Sequence, residues 1–509
     1  MSRLPAATTS FVGRRRELTE LRRLLSDARL VTVTGAGGVG KTRLALRAAA
    51  RMRQAFPHGV HLVELDALRD PGLLAQSVAE AVGLRAASMK PVERLAEYLG
   101  DTRLLLVLDS CEHLVDGCAA MVGKLLAAAP NLRVLATSRH VLGVEGERVM
   151  RVAPLPVPEH VAGMARSAAV SLFVDRATAV DPAFVVDERN REQVLSICRR
   201  LDGVPLAIEL AAVWVRALSV DEILERLDDR FALLAKGSRT APVRQQTLAA
   251  TLQWSCHLCS AAERLLWARL AVFAGGFDVE AAREVCTDDD VGRADIPILI
   301  DKLVDKSILV AQPDTRRYRM LETIREYGLG LLVASGQEAM FRSRHGGYYR
   351  ELTRRYVAES FGPRQIEWIQ RMLSELSNIR TTLEFALAGS GQAQVASEMA
   401  TALWDFWYSG GLLPEGYRWL RRALAVDSEP TSRRGHALWA CSFIGVSLHE
   451  SATVSQMLTE CAELAERLDE PALRAGYALG AGFAALHRGR VRDTTALLED
   501  AIAEYEEVG

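Results

Sequence analysis

Eight consecutive residues carry the clearest chemistry in the chain. Gly35-Ala36-Gly37-Gly38-Val39-Gly40-Lys41-Thr42 follows the spacing GxxxxGK[ST]. Glycines at this density let a loop curl until successive N–H groups face one phosphate, at the positive end of the helix that follows. Lys41 would reach the β- and γ-phosphates, and the Thr42 hydroxyl would ligate Mg²⁺. The choice of lysine is informative, because the chain holds six lysines against 56 arginines and Lys41 is the only lysine in its first 89 residues. A compact ammonium fits between phosphate oxygens where a planar guanidinium does not. The bland reading is a flexible glycine-rich turn. Context opposes it: Leu30 to Thr34 reads as a buried β-branched strand and Arg43 to Met52 as a helix, the setting this motif requires.

Two further strand ends could complete such a site. Arg103 to Asp109 is an apolar strand closing on an acid, the Walker B pattern in which Asp109 holds Mg²⁺ through water. Read alone, it is equally a core strand that happens to end in aspartate. Glu112 is the nearest acid that could orient an attacking water. A third strand, Leu132 to Ala136, leads into Thr137-Ser138-Arg139. Arg139 at a strand's C-terminal edge can report a γ-phosphate, although a surface arginine at a strand end is common.

The elements positioning these residues belong to a large soluble chain. At 509 residues it is too long for one hydrophobic core, and three or four domains are expected. Its 49% hydrophobic and 25% charged residues are those of ordinary globular protein. A formal charge of −2 supplies no global field toward nucleic acid or an acidic membrane. No apolar run approaches the roughly 20 residues of a membrane span, and Met1 to Ser10 lacks a signal-peptide pattern, so the expected compartment is cytoplasmic. Eight cysteines in this length do not make a disulfide framework. Cys256 and Cys259 form a lone CxxC on one face of a predicted helix. Buried core thiols are the expectation, since no second ligand pair follows.

Five ordered segments carry a family resemblance: Thr9 to Leu18, the phosphate loop, Leu104 to Leu114, Val134 to Arg139 and Gly203 to Ala212. Together they resemble the STAND class of regulatory ATPases, and within it the bacterial NB-ARC-like ATPases of LuxR- and SARP-type transcriptional regulators. The resemblance implies ATP or ADP with Mg²⁺ as cofactors. It places Phe11, Val12, Gly13 and Arg14 along adenine and ribose, and makes Pro205 of Gly203-Val204-Pro205 an adenine contact. The nucleotide set is then Val12, Gly13, Arg14, Gly35, Gly37, Gly38, Val39, Gly40, Lys41, Thr42, Arg43 and Pro205. Lys41, Asp109, Glu112 and Arg139 form the catalytic set, with Thr42 and Asp109 holding the metal. Pro205 also suits the first turn of a helix, where it loses no hydrogen bond.

From Gln245 to about Leu332 the pattern is four helices, two short strands (Ser307 to Ala311 and Arg317 to Leu321) and helix Glu322 to Leu332, as in the family's winged-helix domain. Winged helices commonly bind DNA. Here Glu263 to Phe273 and Ile296 to Val304 are mostly apolar, and Asp288-Asp289-Asp290 adds acid, so docking over the nucleotide is the expectation and no DNA-binding module is evident. Met320-Leu321-Glu322 occupies the place of the family's Met-His-Asp motif, and Leu321 cannot donate the histidine's hydrogen bond to an ADP phosphate.

Beyond Arg342 the chain reads as helix after helix. Trp419-Leu420-x-x-Ala423-Leu424, Met457-Leu458-x-x-Cys461-Ala462 and Leu497-Leu498-x-x-Ala501-Ile502 recur at spacings of 38 and 40, which suggests TPR-like hairpins. Trp404, Phe406, Trp407 and Trp419 suit interior packing or a ligand groove. No polar capping helix is evident before Gly509, so a fragment or a partner-dependent member is expected.

The expected fold class is multidomain α/β plus all-α. A P-loop NTPase parallel sheet spans 1–157, a small helical domain 158–236, a winged-helix domain 237–335 and TPR-like repeats 340–509. The expected function is an ATP/ADP switch in transcriptional control with slow hydrolysis. Self-association or a protein partner would follow activation, and the repeat arm would sense protein or small ligand. A mechanical AAA-like or DNA-dependent ATPase is one alternative. A nucleotide-binding scaffold without useful hydrolysis is another, kept open because no acid adjoins Asp109.

Overall fold

The β-branched run Leu30–Thr34 forms β1, buried along its whole length in the computed structural model, which describes residues 4–5, 9–84, 91–234, 243–312, 315–389 and 393–508. Four more strands follow: β2 (Val60–Glu64), β3 (Leu105–Asp109), β4 (Arg133–Ser138) and β5 (Glu147–Arg151). They pair in the order β2-β3-β4-β1-β5, and each pairing is parallel. Parallel strands buried on both faces read as continuous apolar runs, which is why β1 and β3 were legible. The register sets Thr34 beside Ser138 and Glu64 beside Asp109. The strands therefore end together, and this carboxyl edge is where open α/β sheets bind ligands.

The helix after β1 runs Lys41–Met52, two residues earlier than expected, and β3 begins at Leu105 rather than Arg103. Helices Ala168–Val180, Arg191–Arg200, Pro205–Ala212 and Val220–Leu234 follow the sheet. Next come Val243–Leu258, Ala261–Leu270, Val279–Cys286 and Ile296–Asp305, then the antiparallel pair β6 (Val310–Gln312) and β7 (Arg317–Arg319), then helix Glu322–Ala334. The order matches the expectation, but the first strand starts three residues late. Ser307 turns at φ 57°, and Ile308 and Leu309 are buried behind the preceding helix, their N–H groups bonded to Leu303 O. The junction expected at 236–237 lies outside the described residues.

The chain divides into two compact units, Met1–Leu74 with Ala96–Phe341, and Ala75–Leu95 with Arg342–Gly509. A stretch between β2 and β3 thus clusters with the C-terminal helices. In that second unit, Ser432–Ser447 pairs with Ser451–Leu468, and Pro471–His487 with Val491–Val508, as TPR-like hairpins. Small residues admit the neighbouring helix: a Cβ on Gly476 would stand 2.5 Å from the Trp439 indole nitrogen. Phe406, Trp407 and Trp419 are interior residues. Trp404 packs edge-on against Trp439 and Phe443.

All eight cysteines are buried free thiols, Cys256 and Cys259 among them. Among the described residues no cluster of three His, Cys, Asp or Glu could hold a metal, and no helix is long and apolar enough to cross a membrane.

Candidate functional site

The loop between β1 and helix Lys41–Met52 is held in shape from outside. Gly38 (φ +75°) and Gly40 (φ +89°) take the left-handed conformations that side chains resist. The Gly38 carbonyl accepts from the Leu206 N–H at 3.2 Å, and the Val39 carbonyl accepts from Arg14 Nη2 at 3.1 Å. A Cβ on Gly38 would meet Leu206 Cβ at 3.0 Å, so the turn and helix Pro205–Ala212 approach closely only because the residue is glycine. Pro205 opens that helix, and Gly203 just before it receives the Leu155 N–H on its carbonyl. Arg14 is itself buried, at φ 61°, and pairs with Glu17. Gly13 stands against Ala168, while Val12 keeps partial exposure.

The charged groups converge at the carboxyl edge of the sheet. Lys41 Nζ donates to the carbonyls of Gly35 (3.0 Å) and Ala36 (3.1 Å). Burial lowers its ammonium pKa, with Glu112 pulling it back up and Arg139 pushing it further down. Thr42 Oγ1 donates to Asp109 Oδ1 at 2.8 Å, and Thr137 Oγ1 donates to the same oxygen. Burial pushes the Asp109 carboxyl up to about 6, against the lowering effect of both hydroxyls. Arg139 approaches Glu112 with its Nε at 3.2 Å and spans both carboxylate oxygens of Glu326 with Nη2 at 2.9 and 3.0 Å.

These residues fit a nucleotide tail with its metal. The loop backbone takes shapes that favour glycine, the ammonium rests on loop carbonyls, and the hydroxyl and acid assigned to Mg²⁺ already touch. Two buried polar atoms, Glu112 Oε2 and Arg139 Nε, have no aligned hydrogen-bond partner, which leaves capacity for another polar group.

Arg43 is placed differently from the expectation of a nucleotide contact. Its guanidinium is spent on Glu209, on the Thr9 hydroxyl and on the Ser10 carbonyl. Arg176 adds bonds to Glu209 and Ser10, so this pair of arginines ties the N-terminal segment down.

Several residues at the site escaped sequence reading. Thr137 lies next to the motif and could have been weighed as a partner of Asp109. Glu326, Thr323 and Arg319 come from the far end of this unit and carry no local signal. Thr323 Oγ1 lies 3.3 Å from where a Gly37 Cβ would stand. Arg319 reaches Glu64 and Asp66 at the end of β2, at 2.6 and 3.0 Å. Leu321, in the position of the family's histidine, is 42% exposed.

Residues 22–142 match the family model described as an AAA domain. A Mycobacterium tuberculosis protein, named as an HTH-type transcriptional regulator, is 40% identical over 407 residues, 79% of this chain and 45% of its own length. The chain therefore spans less than half of that relative. An uncharacterized protein of the same organism is 42% identical over 360 residues, 70% of this chain and 90% of its own length. Among solved structures, a STAND protein with a tetratricopeptide repeat sensor from Pyrococcus horikoshii matches over 99% of this chain and 78% of its own, with 15% identity and a TM-score of 0.46.

Proposed function

The chain belongs to the STAND class of regulatory ATPases, and from that premise we propose that it is a nucleotide-driven switch acting in transcriptional control in the cytoplasm. The observation that carries the reading is the placement of helix Glu322–Ala334 beside the candidate phosphate site, with Thr323 against Gly37 and Glu326 on Arg139. In this reading residues 237–335 are a winged-helix docking domain that closes over bound ADP. The bound nucleotide supplies the charge difference between di- and triphosphate, which is the free energy the switch reads.

The chain's own residues divide that work. Lys41 holds the phosphates, Thr42 and Asp109 hold Mg²⁺, and the loop glycines bring backbone N–H groups close. Gly13, Arg14 and Pro205 shape the base end. The helical-repeat arm senses a protein or small ligand, and the opened form self-associates or engages a partner. Slow hydrolysis is expected because Glu112, the acid three residues beyond Asp109, is committed to Arg139. The same pairing favours a second reading, a nucleotide-binding scaffold without useful hydrolysis. Single-turnover assay with radiolabelled ATP separates the two.

Binding of mant-ADP to the parent and to Lys41→Ala tests the switch. Unchanged affinity in the variant would remove the proposal. Near-stoichiometric ADP co-eluting with protein purified without added nucleotide would support a locked resting state.

A further inference from the structure

Arg139 leaves the carboxyl edge of the sheet from β4, and its Nη2 bridges both carboxylate oxygens of Glu326. Around this pair, β7 and the helix Glu322–Ala334 touch the sheet's carboxyl edge at three more points. Arg319 clasps Glu64 and Asp66, Arg69 approaches Glu322 at 3.6 Å, and Thr323 meets Gly37. The first two are ion pairs and the third is a close approach of a hydroxyl to the loop. The Arg139 site differs: its Nε and the adjoining Glu112 Oε2 remain without aligned partners although buried. A guanidinium held by two carboxylates is one for which a phosphate can compete with them. It lies beside Lys41, whose ammonium feels both Glu112 and Arg139.

We infer that Glu326 is the off-state lock, a carboxylate that occupies Arg139 in place of the γ-phosphate of ATP. The inference rests on the nucleotide-switch reading and adds to it the residue that discriminates the two nucleotides. ADP lacks a group able to compete for Arg139, so helix Glu322–Ala334 stays docked. ATP brings a terminal phosphate of higher charge, and Glu326 must yield for Arg139 to take it. The exposed Leu321 cannot serve here, and the lock moves five residues along, to a position one helical turn into the helix. Glu326 is a positioning residue: it acts through Arg139 and touches no nucleotide.

The test is a titration of the full chain with mant-ADP and a non-hydrolysable mant-ATP analogue in Mg²⁺. Glu326→Gln keeps the side chain's shape and removes its charge. It should tighten the triphosphate about fivefold, the scale of a partly exposed ion pair, while ADP affinity stays within about twofold. In Arg139→Gln/Glu326→Gln that gain should vanish, because the competition needs the guanidinium. An unchanged ratio in Glu326→Gln, or equal tightening of both nucleotides, overturns the lock. If the parent still requires Lys41 for binding, the switch reading survives that result. Failure of the parent to bind either nucleotide overturns both.

Discussion

Thr42 Oγ1 donates a 2.8 Å hydrogen bond to Asp109 Oδ1, joining the first turn of the phosphate-loop helix to the end of β3. Two residues far apart in sequence, each assigned to the same Mg²⁺ on pattern alone, are therefore in contact before any ligand is considered. Thr137 completes the arrangement, accepting from the Ser110 N–H while donating to Asp109.

That arrangement makes the nucleotide-free protein pH-sensitive in a direction that can be stated. Burial raises the Asp109 carboxyl from 3.8 to about 6. An acid whose folded value lies above its unfolded one favours the native state while protonated, and that contribution is lost as pH rises from near 4 through about 6. Asp109→Asn removes the slope. Between pH 4.5 and 7.5, in the absence of nucleotide and metal, the parent should lose stability relative to Asp109→Asn by at most about 3 kcal/mol. Urea melts at several pH values measure it, and parallel profiles for the two proteins would refute it. Mg²⁺ should restore part of the loss in the parent only.

Gly203 makes a sharper demand on backbone than any loop glycine. It sits at φ +64°, and a Cβ there would stand 1.9 Å from the Leu155 carbonyl oxygen. The Leu155 N–H already donates to Gly203 O at 2.9 Å, so the two backbones are fixed together and neither can retreat. Gly203→Ala should cost about 3 kcal/mol or more, from the clash and the disfavoured φ together. Gly123→Ala, inside helix Val115–Ala128 with nothing within 4 Å of the added carbon, should be neutral or stabilise by up to about 1 kcal/mol. Equal denaturation midpoints for the two variants would contradict this account.

The parts legible in sequence share one property: their signal is local. β1 and β3 are buried on both faces, so their apolar runs needed no partner to be recognised, and the phosphate loop carries its chemistry in eight adjacent residues. The hairpin signal failed by three residues at Ser307, because the burial of Ile308 and Leu309 that looks like a strand belongs to a helix terminus. The partners of the Arg43 side chain were hidden for a related reason. It adjoins the loop in sequence, yet Glu209 and Ser10 claim its guanidinium, and a distant carboxylate cannot be read from spacing. Glu326 and Arg319 were invisible on the same ground, since each meets its partner only after roughly 190 or more residues of chain have folded back. The Ala75–Leu95 stretch was read within the sheet domain by continuity alone, and its clustering with the C-terminal helices is a tertiary choice that no periodicity records.

Within that second unit lies the last test, a buried charge cluster. Arg380 Nε and Nη2 donate to the two oxygens of Glu415 at 2.8 and 2.6 Å, and Glu415 also accepts from the Trp419 indole N–H at 3.1 Å. Glu415 is fully buried. Nearby, burial raises the Glu80 carboxyl to about 7, with Arg380 opposing the rise and Glu415 adding to it. One arginine therefore offsets two carboxylates, Glu415 shut away from water and Glu80 at an exposed position. Arg380→Met keeps the stem's packing and deletes the charge. It should destabilise the protein by about 3–5 kcal/mol, the usual consequence of stripping the partner from a buried ion. The double variant Arg380→Met/Glu415→Gln should recover a large part of that loss, since the stranded charge is gone. Chemical denaturation of the three proteins at pH 6 and 8 decides it. If Arg380→Met and the double variant unfold together at both pH values, the cluster is not held by charge.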